Sequence, residues 1–204
     1  MPKVMICSTE WKEILRQRRL HGHDRKDEVW NGEYFITPDP TNSHQRFTSR
    51  LQRTLEDVAP AGSIVQAGGN ISDRKTDWKK SFRCPDVMVF LPGNPAIDME
   101  THFFGGPDFL VEVVSPGDRS LKKLPFYASV GTREVLLPDQ HQGQVSLYRR
   151  SGEGWAEPAV AVLDAGQWVG SELLPLEFSL ASATGSARPQ IQVRHRLDDR
   201  LWCG

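Results

Sequence analysis

Two apolar runs, each interrupted by a single carboxylate, constrain this chain more than any other feature. The first is Pro85-Asp86-Val87-Met88-Val89-Phe90 and the second is Phe109-Leu110-Val111-Glu112-Val113-Val114. Both are rich in β-branched and aromatic residues and read as buried strands. Antiparallel pairing would set the start of one beside the end of the other, so Asp86 and Glu112 would fall at the same edge of the sheet. A lone acid in such a run must give up its charge or find a partner, because burying an unpaired charge is costly. Two acids side by side outline a metal site. Mg2+ suits such a site, since it takes oxygen ligands and uses one or two carboxylates together with water and substrate phosphate oxygens. A structural ion pair, with Asp86 capping a strand and Glu112 held by an arginine or lysine, is the competing reading of the same residues.

The turn Ser115-Pro116-Gly117 ends the second run, and Leu121, Leu124, Tyr127 and Ala128 follow at helical spacing. A helix there would return its first turn toward the edge where the strand ended. Pro125 is tolerated only near a helix start, which puts Lys122 and Lys123 in the N-terminal turn. Lys123 and Tyr127 are four residues apart and share a face, so Lys123 is the lysine expected to reach the carboxylates.

Taken together, Pro85-Asp86, Glu112-x-Val114 and a lysine on the next helix resemble the PD-(D/E)XK nuclease superfamily, in the variant whose lysine has moved from strand to helix. More narrowly, the run FLVEVVSPGDRSLKKLPFYASVGTREVLLPD is similar to the Uma-type restriction endonuclease family. Glu28-Val29-Trp30-Asn31-Gly32-Glu33 resembles that family's early acidic strand-turn-strand segment, and Ser43-His44-Gln45 the start of its first helix. The resemblance covers most of the chain. It implies an α/β (α+β) fold of the restriction-endonuclease type: a mixed sheet flanked by helices, with an N-terminal hairpin and C-terminal strands. It also implies a Mg2+-dependent (or Mn2+-dependent) endonuclease that hydrolyses DNA phosphodiester bonds. Asp86, Glu112 and the Val113 carbonyl would hold the metal, and Glu28 would join the carboxylate cluster. Lys123 would orient the attacking water or neutralise charge on the phosphorane. Val114 stands where the superfamily usually has its strand lysine, so a catalytically inactive nuclease-fold DNA-binding or regulatory protein is the alternative.

With 25 Lys and Arg against 26 Asp and Glu, the net charge of −1 gives no global signature of a polyanion binder, and any DNA face must be local. The best candidate is the segment holding Arg74, Lys75, Lys79, Lys80 and Arg83 around Trp78, since basic residues beside an aromatic suit a phosphate-tracking loop. The same composition also describes a solvated loop. Cys7, Cys84 and Cys203 are odd in number and widely spaced, which argues for unpaired thiols. No apolar stretch reaches about 18 residues, and the N-terminus lacks a signal-peptide pattern. The expectation is a cytoplasmic protein with DNA as its partner and no membrane, for which a homodimer is allowed.

One domain over residues 1–204 is expected. Residues 1–27 would form an N-terminal helix (3–20) and turn, followed by a hairpin about Asn31-Gly32. A helix over 44–58 with Ser43 as N-cap and a strand at 64–67 come next. A strand at 134–137 would close a strand–helix–strand crossover. Further strands are expected at 144–149, 154–155, 160–163 and 190–196, with a linker at 182–188. Residues 189–204 would add a C-terminal hairpin extension, and residues 91–106 carry no readable pattern.

Overall fold

The computed structural model describes residues 9–115, 117, 119–182, 185 and 188–203. Cys7, the first residues of the 3–20 helix and most of the 182–188 linker lie outside them. The architecture is a mixed α+β fold. Its centre is a seven-stranded sheet in the order Gly154–Trp155, Gln144–Ser151, Glu134–Asp139, Phe109–Val111, Val87–Phe90, Ile64–Ala67, with Ala159–Val162 also pairing against Gln144–Ser151. The pairing of Val87–Phe90 with Phe109–Val111 is antiparallel, as the two apolar runs suggest, with Val87 opposite Val111 and Val89 opposite Phe109. Phe109–Val111 runs parallel to Glu134–Asp139, and the helix Ser120–Ser129 makes the crossover between them.

These strands have no polar face because both of their faces are covered. Side chains alternate across a strand, so Val87, Val89, Phe109, Val111 and Leu136 enter one core with Phe47, Leu51 and Leu55 of the helix Asn42–Val58. Met88, Phe90, Leu110, Val135 and Leu137 enter a second core with Leu124 and Tyr127 of the crossover helix. That double burial explains why the runs read as continuously apolar. The helix Asn42–Val58 is capped by Thr41, whose side chain accepts from the His44 amide, and not by Ser43, which hydrogen-bonds to Thr41 instead.

Glu28–Trp30 and Glu33–Phe35 form the expected hairpin, and Asn31 (φ 50°) and Gly32 (φ 88°) supply the left-handed turn that the strand twist favours. The stretch without a readable pattern contributes Ile97–Asp98 and Phe103–Phe104, which form a small sheet with Ile71–Ser72. The C-terminal hairpin, Gln190–His195 with Leu201–Cys203, is not an appendage. It completes a four-stranded sheet with Val169–Gly170 and Leu176–Ala181, and Phe178, Leu180, Ile191 and Val193 enter the first core. Among the described residues Cys84 is buried, Cys203 is exposed and both are free thiols. No helix there is long and apolar enough to cross a membrane.

Candidate active site

The strand register brings the two interrupting acids together. Beyond the last partnered residues, the Asp86 amide donates to the Val111 carbonyl at 3.1 Å. The Val113 amide donates to Asp86 Oδ2 at 2.9 Å, which stitches the ends of the two strands across one carboxylate. Glu112 continues the alternation of Leu110 and so points to the side of the crossover helix. There it meets Lys123 Nζ at 3.0 Å and accepts from the Tyr127 hydroxyl. Lys123 and Tyr127 therefore do share a face.

Glu28 arrives from the hairpin. Its Oε1 accepts from Lys123 Nζ at 2.9 Å and from the Cys84 amide at 2.9 Å, and its Oε2 accepts from Trp30 Nε1 at 2.8 Å. Glu28, Asp86, Glu112 and Lys123, singled out from sequence, thus lie in one cluster in which the three acids are buried and the Lys123 side chain is mostly so. Lys122, one residue away on the helix, is exposed.

One ammonium serves two carboxylates here, and the titration behaviour follows. Burial alone would lower the Lys123 pKa, yet Glu112 and Glu28 raise it, so this side chain stays charged. Burial pushes Glu112 up to about 7, and Asp86 and Glu28 add to the rise against the pull of Lys123. Burial acts on Asp86 in the same direction, but the His44 hydrogen bond, the charges of His44 and Lys26 and the Val113 amide together bring it below its usual value.

A family model described as "Putative restriction endonuclease", Uma2, matches residues 11–183. The chain belongs to the Uma2 family. Among solved structures, a protein described as a putative nuclease from Anabaena variabilis is similar in fold to this Uma2 chain. It has a TM-score of 0.58 and 18% sequence identity, with 72% of this chain and 82% of that one covered. A comparison with curated proteins finds no match.

Three residues beside this cluster make contacts that the sequence alone does not assign. His44 Nε2 shares a hydrogen bond with Asp86 Oδ2 at 3.2 Å. Its signal is its register with Thr48, Leu51 and Leu55 on the core stripe, since a histidine on that stripe faces the sheet and not solvent. The Asp86 hydrogen bond is the main reason its pKa is raised. Lys26 Nζ stands 4.0 Å from Asp86 Oδ1. Tyr127, singled out in the sequence only for its helical spacing and the face it shares with Lys123, also holds Glu112.

Arg83 departs from the expectation that it belongs to a phosphate-tracking loop, because it is only 4% exposed. Its guanidinium lies between the rings of Trp30 (4.5 Å) and Phe126 (4.2 Å) and donates to the Val29 and Phe82 carbonyls. Phe35 packs on Trp30 at 4.3 Å and Arg119 lies over Phe35 at 4.7 Å. This column of rings and guanidiniums ties the Glu28 hairpin to the helix that carries Lys123. Arg74, Lys75, Lys79 and Lys80 remain at the surface, although Lys80 pairs with Asp77 at 2.7 Å and Arg74 lies 3.8 Å from Asp73.

The donor set fits a hard divalent cation. Among the described residues no three His, Cys, Asp or Glu side chains gather closely enough to hold an ion unaided. Two carboxylates and the Val113 carbonyl are nevertheless the kind of partial oxygen set that Mg2+ completes with water and phosphate. Burial raises the Glu112 pKa and the neighbouring Asp86 and Glu28 add to the rise, so a cation beside Glu112 would favour its charged form.

Proposed function

We propose that this protein is a divalent-metal-dependent endonuclease that hydrolyses DNA phosphodiester bonds where Asp86, Glu112, Glu28 and Lys123 meet. The observation that carries this reading is the Lys123 ammonium shared between Glu28 and Glu112 at the edge that also holds Asp86. Asp86, Glu112 and the Val113 carbonyl would hold Mg2+ or Mn2+, which lowers the pKa of a coordinated water and polarises the scissile phosphate. Glu28 keeps Lys123 anchored from the hairpin side, so its ammonium stays aimed at the space beside Glu112, where negative charge develops on the phosphorane. The strand position usually occupied by lysine is Val114, and Lys123 fills that role from the helix. His44 and the Val113 amide fix the rotamer of Asp86.

Arg74, Lys75, Lys79 and Lys80 hold phosphates flanking the cut. The protein acts in the cytoplasm. A homodimer would bring a second site to the opposite strand of a duplex. Single-turnover cleavage of a labelled duplex tests the assignment. Lys123→Ala lowers the rate by at least about a hundredfold, the loss expected for one transition-state electrostatic interaction, and Lys122→Ala changes it little. Equal rates for both variants and wild type would remove Lys123 from the mechanism.

A further inference from the structure

The outer face of the helix Asn42–Val58 breaks three local rules at once. Arg46, Arg50 and Arg53 follow one another at i, i+4 and i+7 and are all exposed, so like charges sit where helix neighbours meet. The first turn contains no acid to complement the macrodipole, which favours anions at a helix N-terminus. None of the three guanidiniums has a carboxylate partner among the described residues. Glu56, on the same helix, is bonded to Gln52 instead.

A sequence that fails several local rules on one surface usually does so for function. On this face Asn42, Gln45, Arg46, Ser49 and Arg50 line a shallow, open groove between the side chains of the one helix. Their side chains offer amide, hydroxyl and guanidinium donors and no carboxylate. The ridge starts within one turn of His44, which touches Asp86.

We infer that this ridge is the principal docking surface for the sugar–phosphate backbone of duplex DNA, outside the cut site, an inference that rests on the nuclease reading above. A polyanion supplies what the helix lacks, which is negative charge near its N-terminus and between the neighbouring arginines. The 74–80 loop is the lesser contributor, because Asp77 and Asp73 already accompany two of its four cations. A chain of net charge −1 thereby concentrates its affinity on one helix.

The test is fluorescence anisotropy with a labelled duplex, in EDTA so that nothing is cut, across a salt series. The proteins are wild type, the triple variant Arg46→Gln/Arg50→Gln/Arg53→Gln and the charge-keeping triple variant Arg46→Lys/Arg50→Lys/Arg53→Lys. Each phosphate that the protein no longer neutralises flattens the log–log salt slope by about 0.9. For three arginines the glutamine variant should therefore give up about 2.7 of slope, while the lysine variant keeps nearly all of it. The glutamine variant should melt no lower than wild type, because its like-charge repulsion is gone. A glutamine variant with the wild-type slope overturns the inference. If wild type still cuts plasmid with metal in that case, the nuclease reading stands without the ridge. A wild type that neither binds the duplex nor cuts it ends both.

Discussion

Replacing Glu112 by Gln separates a metal site from a structural ion pair. In the folded protein Glu112 titrates near 7 instead of its usual 4.5, so between those values the native state holds a proton that the unfolded chain has released. Its contribution is therefore most favourable below about pH 4.5 and is lost as pH rises through about 7. The gap corresponds to about 3 kcal/mol. For a chain of this size that is roughly 6–12 °C in Tm. His44, whose pKa is raised chiefly by its hydrogen bond to Asp86, adds a loss of the same sign above its own folded value.

Thermal melts in EDTA from pH 5 to pH 8 should show wild type losing stability with rising pH. Glu112→Gln should show a clearly flatter line, with a Tm at pH 8 equal to or above wild type. Lys123 keeps Glu28 in that variant, so its charge stays paired. A Glu112→Gln curve parallel to wild type and lower throughout would show that the Glu112–Lys123 pair is a net structural stabiliser, and the reading of Glu112 as a buried acid that a metal would relieve would fail.

Two further outcomes concern the column that aligns the site. Arg83→Ala removes two cation–ring interactions and two hydrogen bonds to carbonyls and should lower stability by about 3 kcal/mol in urea unfolding. It should leave the salt slope of DNA binding unchanged, whereas a flattened slope would return Arg83 to the phosphate-binding set. Trp30→Phe keeps a ring in the stack but deletes the donor to Glu28 Oε2, with an expected loss of about 1.5 kcal/mol by the same measurement.

The parts of this site that are legible in the sequence are those where one residue breaks a strong pattern. Asp86 and Glu112 stand out because their neighbours are apolar on both sides, and the register of two adjacent strands follows from that. The Asn31-Gly32 hairpin is legible because a left-handed turn needs such residues. In Leu176–Ala181 the apolar Leu176, Phe178 and Leu180 alternate with Glu177 and Ser179, yet the strand escapes a sequence reading because Leu173, Leu174 and Pro175 lead into it and blur the period into an apolar run. Ile97–Asp98 and Phe103–Phe104 are too short to show any period. The burial of Arg83 has no local signal, since its partners Trp30 and Phe126 lie far away in sequence and only the fold brings them to the same guanidinium. The Uma2 resemblance locates the acids and the lysine, while the supporting roles of His44, Lys26 and Tyr127 need placed side chains.

The most direct test of the central claim is incubation of the purified protein with supercoiled plasmid in EDTA, in Mg2+ and in Mn2+, beside Asp86→Asn. The account predicts nicked and linear product with either metal, none in EDTA, and none from Asp86→Asn although that variant folds and binds duplex DNA. Cleavage that persists in EDTA, or that Asp86→Asn retains at the wild-type rate, would contradict it.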